Sequence, residues 1–145
     1  MAGSYLDTNL VVAALTAEHF TETAQPYLLP TGSNAPVLSD WTVTEFSAAL
    51  SIKVRVGALS APAHEAALTG FRRYLRDAFE CLPVTRADFH AAAGLADRAS
   101  TGLRAGDALH LALASRAGLV IHTLDQSMAV AAEELGIDCR LASPP

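Results

Sequence analysis

Apolar and polar residues alternate in blocks along this chain rather than one by one. Short, nearly all-apolar runs recur: "SYL", "PVLS", "CLPV", "LVIHT" and "IDCRLA". Between them lie longer stretches whose apolar side chains return every three or four positions. The short runs read as strands covered on both faces, and the long stretches as amphipathic helices. The first helices are "NLVVAAL" and "HFTETAQPYL", the second limited or kinked by Pro26. "WTVTEFSAALSIKVRV" runs to Gly57, and "SAPAHEAALTGFRRYLRDAF" starts with Ser60 as N-cap and Pro62 in its first turn. "RADFHAAAGLADRAS" is broken at Gly102, "AGDALHLALASRA" stops at Gly118, and "QSMAVAAEEL" stops at Gly136. "LPTGSNAPV", Leu29 to Val37, is rich in turn formers and reads as a loop within one domain spanning 1–145. Strands alternating with helices predict an α/β fold with a mostly parallel sheet. In such a sheet, ligands gather outside the carboxyl ends of the strands, where strand order reverses.

Composition narrows the picture. The chain has 145 residues, 51% of them hydrophobic, enough to bury a core. Its net charge is −5, from 15 acids against 10 bases, so it does not attract polyanions over its whole surface. Nucleic-acid binding would need a local basic patch or bound cations. The only lysine is Lys53, and with Arg55 it suits a helix C-terminus. Cys81 and Cys139 stand alone, with no CxxC, and read as reduced core residues. The first residues lack a basic region followed by a long apolar run, and no apolar stretch approaches a membrane span. The expected location is therefore cytoplasmic, with no membrane partner.

Four acids recur at comparable places. Asp7 follows the first strand, Glu45 lies early in the helix after the second, Asp107 opens the apolar helix, and Asp125 follows "LVIHT". At one sheet edge they would repel each other and each would have a raised pKa, which a divalent cation with oxygen ligands relieves. Such a site cuts phosphodiesters. Each acid also fits a helix-capping role: Asp7 before "NLVVAAL", Glu45 in a capping box with Thr42, Asp107 at a helix N-terminus, and Asp125 before "QSMAVAA". His110 shares a helix face with Asp107 but reads as packed or hydrogen-bonded, and no histidine spacing matches a zinc site. Arg72, Arg73 and Arg76 read as a solvated face, with Arg73–Asp77 and Arg76–Glu80 at i,i+4 spacing. Arg104, three residues before Asp107, either reaches a substrate phosphate or balances the acids. Trp41 and Phe46 flank Glu45, Phe46 reading as core and Trp41 open to base stacking. The apolar helices "LVVAAL" and "EFSAAL" could frame a groove for a partner segment or a second subunit.

"YLDTNL", "TVTEFSAAL", "LRAGDALHLALA" and "LVIHTLDQSMAVAA" resemble, in order and spacing, the motifs of PIN-domain ribonucleases, above all the VapC-type toxins of toxin–antitoxin pairs. The resemblance spans essentially the whole chain. It implies a three-layer α/β/α fold with a parallel five-stranded sheet in the order 3-2-1-4-5. It implies that Asp7, Glu45, Asp107 and Asp125 form a catalytic Mg²⁺ or Mn²⁺ site, supported by Thr123 and by Asn9. It also implies endonucleolytic cleavage of RNA, a homodimer and a small VapB-type antitoxin partner. Gln126 stands where the family often has a basic residue, and His122 where it has an apolar or small one. The alternatives are a PIN nuclease outside any toxin pair and a non-catalytic α/β binding or signalling domain. The second fits less well. A receiver-type domain needs paired acids after its first strand and a lysine near its fifth, and a nucleotide-binding module needs GxGxxG or GxxxxGK[ST].

Overall fold

The computed structural model describes residues 3–145. Five short strands, β1 (Ser4–Leu6), β2 (Val37–Ser39), β3 (Glu80–Leu82), β4 (Val120–Thr123) and β5 (Cys139–Leu141), form one parallel sheet in the order β3-β2-β1-β4-β5. The helices are α1 (Thr8–Leu15), α2 (Thr21–Ala24), α3 (Asp40–Arg55), α4 (Ala61–Asp77), α5 (Arg86–Ala96), α6 (Ala105–Arg116) and α7 (Gln126–Glu134). This is the α/β arrangement and strand order that the resemblance implies.

The pleat explains the layers. Tyr5 pairs with Val37 on one side and Ile121 on the other, and all three pack against α5, α6 and α7. Their neighbours Leu6 and Leu38 point the other way, into a second core with α1, α3 and α4. There Phe46 is fully buried and stacks on Phe71, ring centroids 4.0 Å apart, as the core reading of Phe46 expects. Such a ring contributes about 1.5–3 kcal/mol by leaving water. Helix α1 is nearly all buried because apolar neighbours surround it: the sheet lies on one side, and α3 and the first turn of α2 on the other.

Several elements differ from the sequence reading. The second helix is one turn of α2 followed by a 3₁₀ turn over Gln25–Leu28, with Pro26 at its start, since the ring removes the N–H that would continue α2. The third strand begins earlier, at Glu80, and ends before Pro83, which cannot donate to the ladder. As an edge strand, β3 is largely exposed, not covered on both faces. Cys81 is therefore an exposed thiol near Asp40 rather than a core residue, and Cys139 is only half-buried. Helix α4 ends at Asp77, so the expected Arg76–Glu80 spacing does not exist as helix geometry, and Arg76 instead pairs with the adjacent Asp77 at 2.9 Å. No helix among the described residues is long and apolar enough to cross a membrane.

Candidate active site

Strand order reverses at β1: the chain passes to β2 on one side and later returns to β4 on the other. The carboxyl ends of β1 and β4 are therefore neighbours, and their first residues beyond the ladder meet. The amide of Asp7 donates to the carbonyl of His122 at 2.9 Å, which continues the sheet one residue further. The four acids singled out from the sequence, Asp7, Glu45, Asp107 and Asp125, all line one cleft at this edge, of about 460 Å³.

Asp7 is buried, with 5% of its surface exposed. Its Oδ1 accepts from the Thr8 amide at 2.8 Å and its Oδ2 from the Thr123 hydroxyl at 2.7 Å. It both caps α1 and faces the cleft, so the capping and ligand readings are compatible. Thr123 Oγ1 also accepts from Asn9 Nδ2 at 3.1 Å and from the Asp125 amide at 3.0 Å. Asn9 is oriented by the Leu124 amide, which donates to its Oδ1 at 3.1 Å. With two N–H donors pointing at it, the Thr123 oxygen has its own proton free for Asp7. Thr123 and Asn9 thus tie the first acid to the last.

Asp125 caps α7. Its Oδ1 accepts from the Ser127 amide at 2.9 Å, the Ser127 hydroxyl at 2.6 Å and the Met128 amide at 3.3 Å. All these bonds fall on one oxygen. The Ser127 bond, with help from the charge of Arg104, holds this carboxyl below its ordinary range. Arg104 is exposed at the N-cap of α6 and so bears electrostatically on the acids.

Glu45 does not cap α3. The box there is made by Ser39 and Thr42, and Glu45 lies farther in, on a face turned to the cleft. Its Oε1 accepts from Thr8 Oγ1 at 2.8 Å and from His110 Nε2. His110 is fully buried; its Nδ1 meets Tyr5 Oη at 2.7 Å, and Tyr5 donates to Ser39 Oγ at 2.8 Å. Its Nε2 also lies 3.2 Å from Thr8 Oγ1 and 3.7 Å from Asp7 Oδ1. The hydrogen-bonded histidine read from the sequence is thus the strut that holds Glu45. Burial pushes Glu45 up, but the His110 bond outweighs it, and the carboxyl sits below its ordinary range.

Asp107 lies in the first turn of α6. Burial, then the charges of Asp7 and Asp125, lift its pKa to about 6, with His110 acting the other way. Asp7 is also raised, by burial. The expectation that all four acids would be raised therefore fails for Glu45 and Asp125, because specific donors offset the repulsion there. Gly106 permits the crowding: a Cβ on it would lie 2.9 Å from Glu45 Oε2 and 3.4 Å from Trp41 Nε1. Trp41 is half-buried beside that contact.

Among the described residues no three of these side chains already form a closed ligand set. The donor set nevertheless fits a hard divalent cation: carboxylate oxygens, two of them with raised pKa, lining an open cleft. Sequence reasoning missed Thr8, Gly106, Glu18, Phe20 and Lys53, which border the same cleft or its acids. Two had a signal: Gly106, directly before Asp107 in "AGDALHLALA", and Lys53, eight residues after Glu45 and so on the same helix face.

The sequence profile of the PIN domain matches residues 4–134. No curated protein matches the chain in sequence. Among solved structures, it is similar to Mycobacterium tuberculosis VapC20, a sarcin-ricin loop cleaving toxin, with a TM-score of 0.68 and 18% identity over 89% of this chain and 95% of that one. It is also similar to VapBC2 from Rickettsia felis, bound to a DNA fragment from its promoter (TM-score 0.68, 14% identity, 97% of this chain and 98% of that one). FitAcB from Neisseria gonorrhoeae matches at a TM-score of 0.63 and 20% identity, over 97% of each chain. The profile, the strand order and the acids at the sheet edge agree: this chain belongs to the PIN domain family.

Proposed function

We propose that this protein is a divalent-metal-dependent endoribonuclease and the toxin of a VapBC-type toxin–antitoxin pair. One observation carries the proposal: four carboxylates from four separate elements line a single cleft, and the Thr123 hydroxyl joins the Asp7 carboxylate to the backbone amide of Asp125. Asp7, Glu45, Asp107 and Asp125 would hold Mg²⁺ or Mn²⁺. A cation held there would supply charge neutralisation at the phosphodiester. The protein's own groups do the positioning. Thr123 and Asn9 fix Asp7 relative to Asp125, and the chain from Ser39 through Tyr5 and His110 fixes Glu45. Hydrolysis breaks the bond between phosphorus and the 3′ oxygen, leaving a 3′-hydroxyl and a 5′-phosphate.

The structural likeness to VapBC and FitAB complexes supports a small VapB-type antitoxin as partner, and the homodimer belongs to the same proposal. Mapping RNA ends in cells expressing the wild type beside Asp7→Asn tests the activity. Discrete new 5′-phosphate ends with the wild type alone are expected. Identical end profiles would refute it. Co-expression of the product of an adjacent small gene should abolish those ends if the toxin reading holds.

A further inference from the structure

The active-site cleft extends beyond the acids. Glu45, Ala49 and Lys53 recur every four residues on α3, and all three line it. At a rise of about 1.5 Å per residue, Lys53 lies about 12 Å along the helix from Glu45. Of the described residues lining the cleft, five are acids and Lys53 is the one cation. Its Nζ pairs with Glu18 Oε2 at 2.7 Å, both side chains 26% exposed. Two residues on, Phe20 also lines the cleft with 43% of its surface exposed. A large aromatic ring left in water beside a phosphodiester site is the surface on which an unpaired base stacks. Lys53 is more than a helix C-terminal charge: among the described residues lining this acidic channel, it is the one side chain that offers a polyanion a positive partner.

Resting on the ribonuclease reading, we propose that the Lys53–Phe20 end of the cleft holds the single-stranded RNA next to the scissile bond. Lys53 leaves Glu18 to contact a neighbouring phosphate, and Phe20 stacks on a base. Glu18 keeps the ammonium in place when RNA is absent and competes with RNA for it.

The test is anisotropy of a short, mixed-sequence, fluorescein-labelled single-stranded RNA, with Asp7→Asn protein in Mg²⁺ over a range of salt. Adding Lys53→Gln should weaken binding about tenfold and lower the salt slope by about one. Lys53→Arg should keep both. Phe20→Ala should weaken binding about tenfold and leave the slope unchanged. Glu18→Gln should tighten binding. Arg55→Gln removes the same charge nearby but off the cleft and should leave the slope as it is. If the pair is only a clamp between loop and helix, Lys53→Gln and Glu18→Gln will both lower the melting temperature and leave the salt slope alone, which overturns the proposal. In the otherwise wild-type enzyme, Lys53→Gln should raise KM and spare kcat. Wild-type cleavage with unaltered binding by Lys53→Gln sinks this inference alone. The expected binding pattern without any wild-type cleavage sinks the ribonuclease reading alone.

Discussion

Thr123 receives two N–H donors and gives its single proton to Asp7, so one hydroxyl fixes the spacing of two acids. Thr123→Val keeps the shape and removes that oxygen. The Asn9 amide, the Asp125 N–H and the Asp7 carboxylate each lose a partner, which should cost about 1–3 kcal/mol in urea unfolding. Cleavage should fall roughly 10- to 100-fold, as when a group supporting a metal ligand is lost, and Thr123→Ser should restore most of both. Asp107 carries a pH dependence beside that of Asp7. Its folded pKa of about 6 lies above the ordinary 3.8, so the folded state binds its proton more tightly than the unfolded one. That contribution to stability is complete below pH about 4 and is lost as pH rises through about 6. In EDTA at pH 7.5, Asp107→Asn should therefore be more stable than the wild type by about 1 kcal/mol, after discounting for solvent screening. Thermal melts should show the advantage at pH 7.5, its disappearance near pH 4, and a gain with Mn²⁺ larger in the wild type than in the variant.

Helix α6 shows what an element adds. It brings Asp107 and His110 in on one face and Gly106 immediately before them, so close approach, acid and strut arrive together. Gly106→Ala should still fold: Gly106 lies in the first turn of α6, where alanine gains only part of its helix advantage of about 1 kcal/mol over glycine. The added Cβ, however, meets the flexible end of Glu45, which must move. We expect a little-changed melting temperature with Mn²⁺ affinity lowered about tenfold or more, read by isothermal titration; equal affinity would show that Glu45 is not held for the metal. The elements themselves were largely legible. Apolar runs marked β1, β2 and β4, and the loop-forming glycine after α3, Gly57 at φ 77°, ended that helix where expected. The edge was less so: "CLPV" marked β3, but the strand starts one residue earlier at exposed Glu80 and stops before Pro83, and Cys81 looked like core only because cysteine usually is. The four acids could be named from motif spacing, but the Ser39–Tyr5–His110–Glu45 chain could not. Its members come from β2, β1, α6 and α3, and only the folded topology makes them neighbours. The role of Lys53 was hidden for the same reason, since it depends on the loop that carries Glu18 and Phe20 folding over α3.

At the scale of the whole molecule, a protein with a net charge of −5 is proposed to act on a polyanion. The proposal reconciles the two: the fold concentrates acids at one sheet edge, where bound divalent cations would offset much of their charge, and places Lys53 at the far end of the same cleft. RNA binding should accordingly depend on divalent metal more steeply than on the overall charge. The parallel sheet is what makes the concentration possible: it carries the carboxyl ends of β1, β2 and β4 to one edge, with α6 delivering the fourth acid from above. The most direct measurement is cleavage of single-stranded RNA by the purified protein, in Mn²⁺ and in EDTA, for the wild type and for Asp7→Asn. The account predicts cleavage by the wild type in Mn²⁺ alone, with no product from folded Asp7→Asn under either condition. Cleavage that persists in EDTA, or an Asp7→Asn protein as active as the wild type, would contradict it.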